Sequence, residues 1–438
     1  MKFPVAILCL LTASAAFALD FSGNAKPAVE ITPETSSGLE TVYVLESTAG
    51  ITASYPYTGS APTWRRFSNM GGAYAEDVAA TNAGGVSTIT LSAGDMGYIV
   101  EHDGRQHCYW VADYSAHRLE LQALTPTAER DCDRCRLDFA GNASAIPYYS
   151  INGRRMELSR ELTVEYTALH FDDDSFAYRP EATTETLSSI GASFSVPDPY
   201  MATTFTLSGD RFLKVWGEAQ SVESATVEPY GIEARSRATQ SVREADNEQR
   251  EETEGLGGSA PCDIEFEAAV TDGAVFHEWQ ISRSPEFDIN ELTYTELTFT
   301  YTFREQGTTY VRFVAANDDA TCEYAGDTYE IFIGESKLEI PNAFSPHNED
   351  GVNDVWKVSY KSIVSYECSI FNRWGKRLFT TTDPSEGWDG KVGSKFVPAG
   401  VYYYVIRAEG ADGVRYDRAG DINIVGYEQG ATTSSPEE

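Results

Sequence analysis

Eight runs in this chain repeat with a period of two, and no other feature restricts its fold as much. They are TVYVLES from Thr41, VSTITLS from Val86, ELTVEYTALHF from Glu161, ATTFTLS from Ala202, LTFTYTF from Leu297, TYVRFVAA from Thr309, DTYEIFIG from Asp327 and VYYYVIRAEG from Val401. A two-residue repeat sends successive side chains to opposite faces of an extended chain, so each run reads as a strand with distinct faces. Thr, Val, Tyr and Phe dominate the runs, and Gly, Asn, Asp and Pro separate them. These residues suit a pleated, half-buried surface and the turns between such surfaces. The 25 Tyr and 21 Phe belong to the same pattern, and helix-period patterns are almost missing. The expected fold is all-β, a series of immunoglobulin-like β-sandwich domains.

With 438 residues the chain is too long for one core. It opens with MKFPVAILCLLTASAAFALD, in which Lys2 is a basic start, residues 5–11 are an apolar stretch too short to span a bilayer, and Ala16-Phe17-Ala18 is a small-x-small cleavage site. Residues 1–18 read as a signal peptide, so the protein is expected to be exported and to act at the cell surface or outside the cell. Cys9 lies within the apolar stretch rather than after it, unlike a lipoprotein cysteine. No later run approaches the ~18 apolar residues of a membrane-spanning helix. The net charge of −34 argues against nucleic acid and anionic lipid as partners.

Six cysteines follow the signal peptide, and an even number in an exported chain points to disulfides. Cys262 and Cys322 flank Trp279 in the Cys…Trp…Cys order of immunoglobulin-like sandwiches and are expected to pair. Cys132-Asp133-Arg134-Cys135 has neither the βαβ setting of a redox motif nor the second pair of a zinc knuckle. Cys108 is therefore expected to bridge to Cys132 or Cys135, with Cys368 left as a buried thiol.

Motifs of catalysis are missing. The six His include no H-E-x-x-H, and there is no G-x-S-x-G elbow, P-loop or dinucleotide fingerprint. Asp172, Asp173 and Asp174 are consecutive, so on a strand they alternate faces and cannot easily flank one glycosidic bond; a polar turn between two strands is the expected reading. His107 beside Cys108 and Trp110 reads as part of a strand. The chain is read as non-enzymatic, and a hydrolase site, as the rival, would have to lie in 19–217.

The segment AVFHEWQISRSPEFD around Trp279, followed by Gly307, Tyr310 and Val311, resembles the immunoglobulin-like and PKD-like modules of bacterial surface proteins. The resemblance implies Trp279 as core filler and a core Tyr on the later strand. The PKD hallmark after the Trp is replaced here by Gln280-Ile281-Ser282, so immunoglobulin-like is the better description.

The stretch IPNAFSPHNEDGVNDVW from Ile340 concentrates oxygen-bearing side chains around Gly351. A hard cation needs that density, so calcium held by Asn348, Asp350, Asn353 and Asp354 is one reading. EF-hand spacing is not met, and Asn and Asp also make turns with their own backbone, which is the expected reading.

In order along the chain, Pro341, Asn342, Phe344, Pro346, Asp350, Gly351, Asn353 and Asp354 form a first block. Asn372, Arg373, Trp374 and Gly375 form a second. Trp388, Asp389, Gly390, Pro398, Ala399, Gly400 and the Tyr402, Tyr403, Tyr404 run complete the pattern. This order resembles the gliding motility-associated C-terminal domain of Bacteroidetes, the type B sorting domain of type IX secretion substrates. The resemblance implies a β-sandwich that addresses the chain to the type IX secretion machinery. It also implies a tight turn at 372–376 with Trp374 packed beneath, and a hairpin-favouring turn at Asp389-Gly390. Where the family usually reads Ser-Pro-Asn-Gly-Asp-Gly, His347-Asn348-Glu349 adds a residue and replaces the first Gly, and eleven residues follow Tyr427 where the family ends close to its last strand.

The expected layout is a signal peptide (1–18), an immunoglobulin-like domain (19–112), a second β-sandwich (113–217), an acidic disordered linker (218–261), an immunoglobulin/PKD-like domain (262–336), the sorting domain (337–427) and a polar tail (428–438). The modules are read as an adhesin, a spacer or a platform for a protein or glycan ligand. A component of the gliding or secretion apparatus is a further alternative.

Overall fold

The computed structural model describes residues 18–250, 255–346 and 350–425. The expected signal peptide, apart from Ala18, the tail 428–438 and the candidate ligand Asn348 lie outside the described residues. The chain is all-β, with 53% of it in strands. Each of the eight period-two runs contains a strand. The chain divides into two compact units, one comprising Met1–His170 and Arg179–Gly231, the other Phe171–Tyr178 and Ile232–Glu438.

In the first unit a four-stranded sheet (Asp20–Ser22, Thr52–Pro56, Val86–Thr90, Thr81–Ala83) faces a six-stranded sheet (Val29–Ile31, Thr41–Leu45, Arg105–Asp113, Met96–His102, Thr63–Phe67, Glu76–Val78). Thr41–Leu45 and Arg105–Asp113 are parallel neighbours. Tyr43, Leu45, Tyr109 and Val111 fill the core between these two sheets. The alternate residues Val42, Val44, Trp110 and Ala112 point the other way, into a core shared with the following residues to Val227. A sheet covered on both faces needs a continuous apolar run, which explains TVYVL and CYWVA. The residues of 19–112 thus have one core of their own and share a second with those that follow.

One buried polar hub fixes this second core. Arg160 is 0% exposed and donates from Nη1 to Asp210 Oδ2 (2.5 Å), from Nε to the Ser144 carbonyl (2.6 Å) and from Nη2 to the His117 carbonyl. Asp210 also accepts the Tyr114 hydroxyl and caps the short helix Arg211–Trp216 by taking the N–H groups of Phe212 and Leu213. A buried charge pair endures only when its remaining donors and acceptors are satisfied in this way.

In the second unit the sheet Ala234–Gln240, Cys262–Val270, Thr298–Phe303 packs on the sheet Leu256–Gly258, Tyr329–Ile333, Gly307–Ala316, Phe276–Ser282, Leu292–Tyr294. Trp279 is fully buried between Phe266 and Phe313, with ring centroids 5.4 and 5.1 Å away. On Gly307–Ala316 the apolar core positions are Val311, Phe313 and Ala315, and Tyr310 faces outward, half-buried, contrary to the core Tyr expected there. The disordered linker is also corrected: Ala234–Gln240 and Leu256–Gly258 are strands of this module. In ARSRATQ the small residues Ala234 and Ala238 pack inward while the arginines stay outside, so little apolar surface is needed to hold the strand.

The C-terminal residues contribute a five-stranded sheet in the order Ala343–Phe344, Arg415–Ile424, Gly400–Gly410, Ile363–Phe371, Arg377–Thr381, with a two-stranded sheet Lys337–Glu339/Ser359–Lys361 beside it.

Both expected cysteine pairings are overturned. Cys132 and Cys322 are disulfide-bonded, and Cys108, Cys135, Cys262 and Cys368 are buried free thiols. Cys262 lies opposite Phe303, just before Gly307–Ala316 begins, whereas Cys322 comes after that strand has ended. A strand of that length spans roughly 30 Å, far beyond the ~7 Å limit for Cα atoms of a disulfide. Cys108 and Cys135 sit among apolar side chains in different sheets. Burial raises the Cys108 thiol and pushes Cys135, Cys262 and Cys368 up to about 11, so all four are largely protonated at neutral pH.

The candidate sorting site

The motif residues divide into those that form the core of the domain and those left at its surface. Phe344 is buried in a short strand parallel to Asn423 and Ile424, and its carbonyl accepts Val425 N–H at 3.0 Å. Its ring lies 5.6 Å from that of Trp388, which lies 5.4 Å from Tyr402. Trp388 is 1% exposed and donates from Nε1 to the Lys391 carbonyl (3.0 Å). It exchanges two backbone hydrogen bonds of 2.9 Å with Trp356. Trp356, which the motif comparison passed over, is 2% exposed and donates from Nε1 to the Pro341 carbonyl (2.7 Å). Two paired buried tryptophans are therefore the centre of this half of the domain. Position 390 admits only Gly: its φ is +74°, and a Cβ would come within 2.8 Å of Pro346 Cγ.

Other motif residues shape the backbone. The Asn342 carbonyl receives Asn423 N–H (2.9 Å), and the Pro398 carbonyl receives the Tyr402 hydroxyl (2.9 Å). Ala399 and Gly400 are exposed and lead into the strand Gly400–Gly410. Asp389 accepts Lys391 N–H (3.0 Å), so Asp389-Gly390 is a turn, but the hairpin it enters, Lys391–Val392 with Lys395–Phe396, has its own tip at Gly393-Ser394.

The oxygen-rich loop does part of its own hydrogen bonding. Asp350 Oδ1 accepts Val352 N–H (2.9 Å), Asp354 Oδ2 accepts Gly351 N–H (2.7 Å), and the Asn353 carbonyl accepts Ser345 N–H (2.8 Å). The first two are the side-chain turns that compete with metal binding. Among the described residues no three His, Cys, Asp or Glu side chains converge as a metal site.

The second block lies at the surface. Asn372 Oδ1 accepts the N–H groups of Trp374 and Lys376 (3.0 Å each), and Gly375 takes a φ of +79° between Ile363–Phe371 and Arg377–Thr381. Trp374 is not packed beneath this turn. It is 74% exposed, with the Arg373 guanidinium 4.2 Å above its ring. On the adjacent strand Val401, Tyr403 and Val405 also face outward, exposed. Phe371 and Ser369, the register partners of Tyr403 and Val405, lie at the end of the strand that leads to the Trp374 turn.

Elsewhere, Asp172 accepts Asp174 N–H (3.2 Å) and the Ser175 hydroxyl (2.6 Å), a polar turn between Leu162–Asp172 and Ala177–Leu187. His107 Nδ1 is 2.8 Å from Glu40 Oε1 on the strand Arg105–Asp113.

Among solved structures the chain is similar to a tetra-tandem repeat in the extending region of a large adhesion protein (13% identity, 87% of this chain and 96% of that one, TM-score 0.22). It is also similar to a Ca2+-stabilized adhesin of an ice-binding Antarctic bacterium (12% identity, 92% and 100%, TM-score 0.18). A third similar structure comprises the fibronectin(III)-like modules of Clostridium thermocellum CbhA (13% identity, 43% and 95%, TM-score 0.17). No curated protein sequence matches the chain. Residues 125–224 match the fibronectin type III domain. Residues 338–424 match the CHU_C Type IX secretion signal domain, and the chain thus carries a secretion signal domain of that family behind a fibronectin type III domain.

Proposed function

We propose that this protein is a cargo of type IX secretion, carried across the outer membrane by residues 338–424, and that its β-sandwich modules act outside the cell as a non-enzymatic adhesin, spacer or binding platform. The observation that carries the reading is the division of labour among the motif residues. Phe344, Pro346 and Trp388 are spent on the core, whereas Arg373 and Trp374 stand at an exposed turn that costs the fold an uncovered tryptophan. Surface tryptophan and arginine are the side chains that most often anchor protein interfaces. The secretion machinery is the partner proposed for this turn and the exposed Val401, Tyr403 and Val405 beside it. Among the described residues no helix is long and apolar enough to cross a membrane.

The test compares the full chain with a chain lacking 338–438 in a host that has the secretion system. Retention of the shortened protein in the periplasm is expected. Equal amounts of both forms outside the cell would reject the reading.

A further inference from the structure

The excursion 241–250 leaves the immunoglobulin-like module between two strands that lie in opposite sheets, Ala234–Gln240 and Leu256–Gly258. It does not turn straight back. It crosses to the strand Ser359–Lys361, whose other edge is taken by Lys337–Glu339. Glu248 and Tyr360 form a parallel bridge there. Tyr360 N–H donates to the Asn247 carbonyl (3.1 Å), and Gln249 N–H donates to the Tyr360 carbonyl (2.7 Å). This is strand addition to a free edge, made by the chain's own segment.

Side chains bind the same segment on both sides. Asn247 Nδ2 donates to the Val358 and Pro384 carbonyls, 2.8 Å each. Gln249 Nε2 donates to Ser359 Oγ (2.7 Å), and Lys357 Nζ meets Asp246 Oδ1 at 2.8 Å. The Glu248 side chain is 0% exposed and is paired with Arg243 and with Arg250 (3.1 Å). It also accepts the Ser259 hydroxyl (2.7 Å), and Ser259 Oγ in turn accepts Ser362 N–H (2.9 Å).

These anchor points have one thing in common. Ser362 immediately precedes the strand Ile363–Phe371, and Pro384 lies just after the strand Arg377–Thr381. The strap therefore holds the base of the hairpin whose far tip carries Arg373 and Trp374. Ile363–Phe371 is nine residues long. At about 3.3 Å per residue that is a lever of roughly 30 Å, so a base rocking by about ten degrees moves its tip by about 5 Å. Recognition of one side-chain pair does not tolerate such a displacement.

We infer that the working export signal of this protein is the matched domain together with the strap 243–250, with Asn247, Glu248 and Gln249 as positioning residues that orient the Arg373–Trp374 turn. The inference rests on the proposed secretion reading. It places the functional boundary of the signal inside the immunoglobulin-like module, ahead of residue 338.

The experiment uses the full chain carrying Asn247→Ala, or the milder Gln249→Ala, which loses the side-chain contacts to Ser359 and, at 3.4 Å, to Glu339. Hydrogen exchange of the Tyr360 amide, the melting profile and the amount of protein outside the cell are measured together. Expected is a loss of Tyr360 protection of about tenfold or more in Asn247→Ala, an unchanged main melting transition and reduced export, with Gln249→Ala intermediate in both exchange and export. Lost protection with wild-type export overturns the inference and leaves the secretion reading intact. Unchanged protection in both variants overturns the docking of the strap. If the chain lacking 338–438 is exported like wild type in the same experiment, the secretion reading fails, and the inference with it.

Discussion

Replacing Trp374 and Trp388 by alanine, one at a time, separates recognition from folding. Trp388 is 1% exposed, touches Phe344 and Tyr402 and uses its indole N–H on the Lys391 carbonyl. Burying an indole of ~200 Å² at ~25 cal/mol per Å² corresponds to about 5 kcal/mol, within the range of about 3–5 kcal/mol measured for removing buried aromatic side chains. Trp374 is 74% exposed, so only about a quarter of that area is lost, much of it against Arg373. The corresponding loss is about 1 kcal/mol or less. Chemical denaturation should therefore show a large loss for Trp388→Ala and a near-wild-type midpoint for Trp374→Ala. Surface yield in a secreting host should nevertheless fall in both: in Trp388→Ala because the domain is unstable, and in Trp374→Ala because the turn is no longer read. Wild-type export of Trp374→Ala would refute the argument that the exposed turn is the recognised feature. A large stability loss in that variant would refute the geometry on which the argument stands.

Further outcomes follow from the same structure. Arg160→Met should cost about 3–5 kcal/mol in the unfolding transition of the first unit, because Asp210 would remain buried without its partner; a loss under about 1 kcal/mol would contradict the hub. Burial raises the Asp198 carboxyl, against hydrogen bonds from Tyr200 and Gly231 that pull it down. A carboxyl raised on folding disfavours the native state above its folded pKa, so Asp198→Asn should raise the melting temperature at neutral pH, with the gain vanishing as the pH falls through the raised pKa. A gain that grew in acid would have the wrong sign. Alkylation of the unreduced, denatured protein should label Cys108, Cys135, Cys262 and Cys368 and spare Cys132 and Cys322, as read by peptide mass spectrometry. Chelation of calcium should leave the melting of the sorting domain unchanged; a drop of several degrees would establish a cation in the 348–354 loop.

The fold class could be read from the sequence because a two-residue repeat is local: TFTYTF or VYYYVIRAEG reports a strand whatever surrounds it. The sorting domain could be read because its turns demand particular residues, as Gly390 against Pro346 illustrates. Three features were not legible, each for its own physical reason. Disulfide pairing depends on distance, and spacing around Trp279 says nothing about which end of a strand a cysteine occupies. The strap 243–250 is held by backbone and amide hydrogen bonds to the sorting domain, which leave no apolar signature, so the sequence there reads as a polar linker. The placement of Trp374 misled because an aromatic residue in a turn is ordinarily assigned to the core beneath it; Arg373 stacked on its outer face has no sequence signature.

The central claim is that residues 338–424, held by the strap, take the folded chain to the outside of the cell. The most direct measurement is protease shaving of intact cells, with an antibody against the 125–224 module following the full chain and the chain lacking 338–438. The account predicts that the module of the full chain is digested on intact cells or recovered in the medium, while that of the shortened chain survives until the outer membrane is opened. Equal digestion of both forms on intact cells would contradict it.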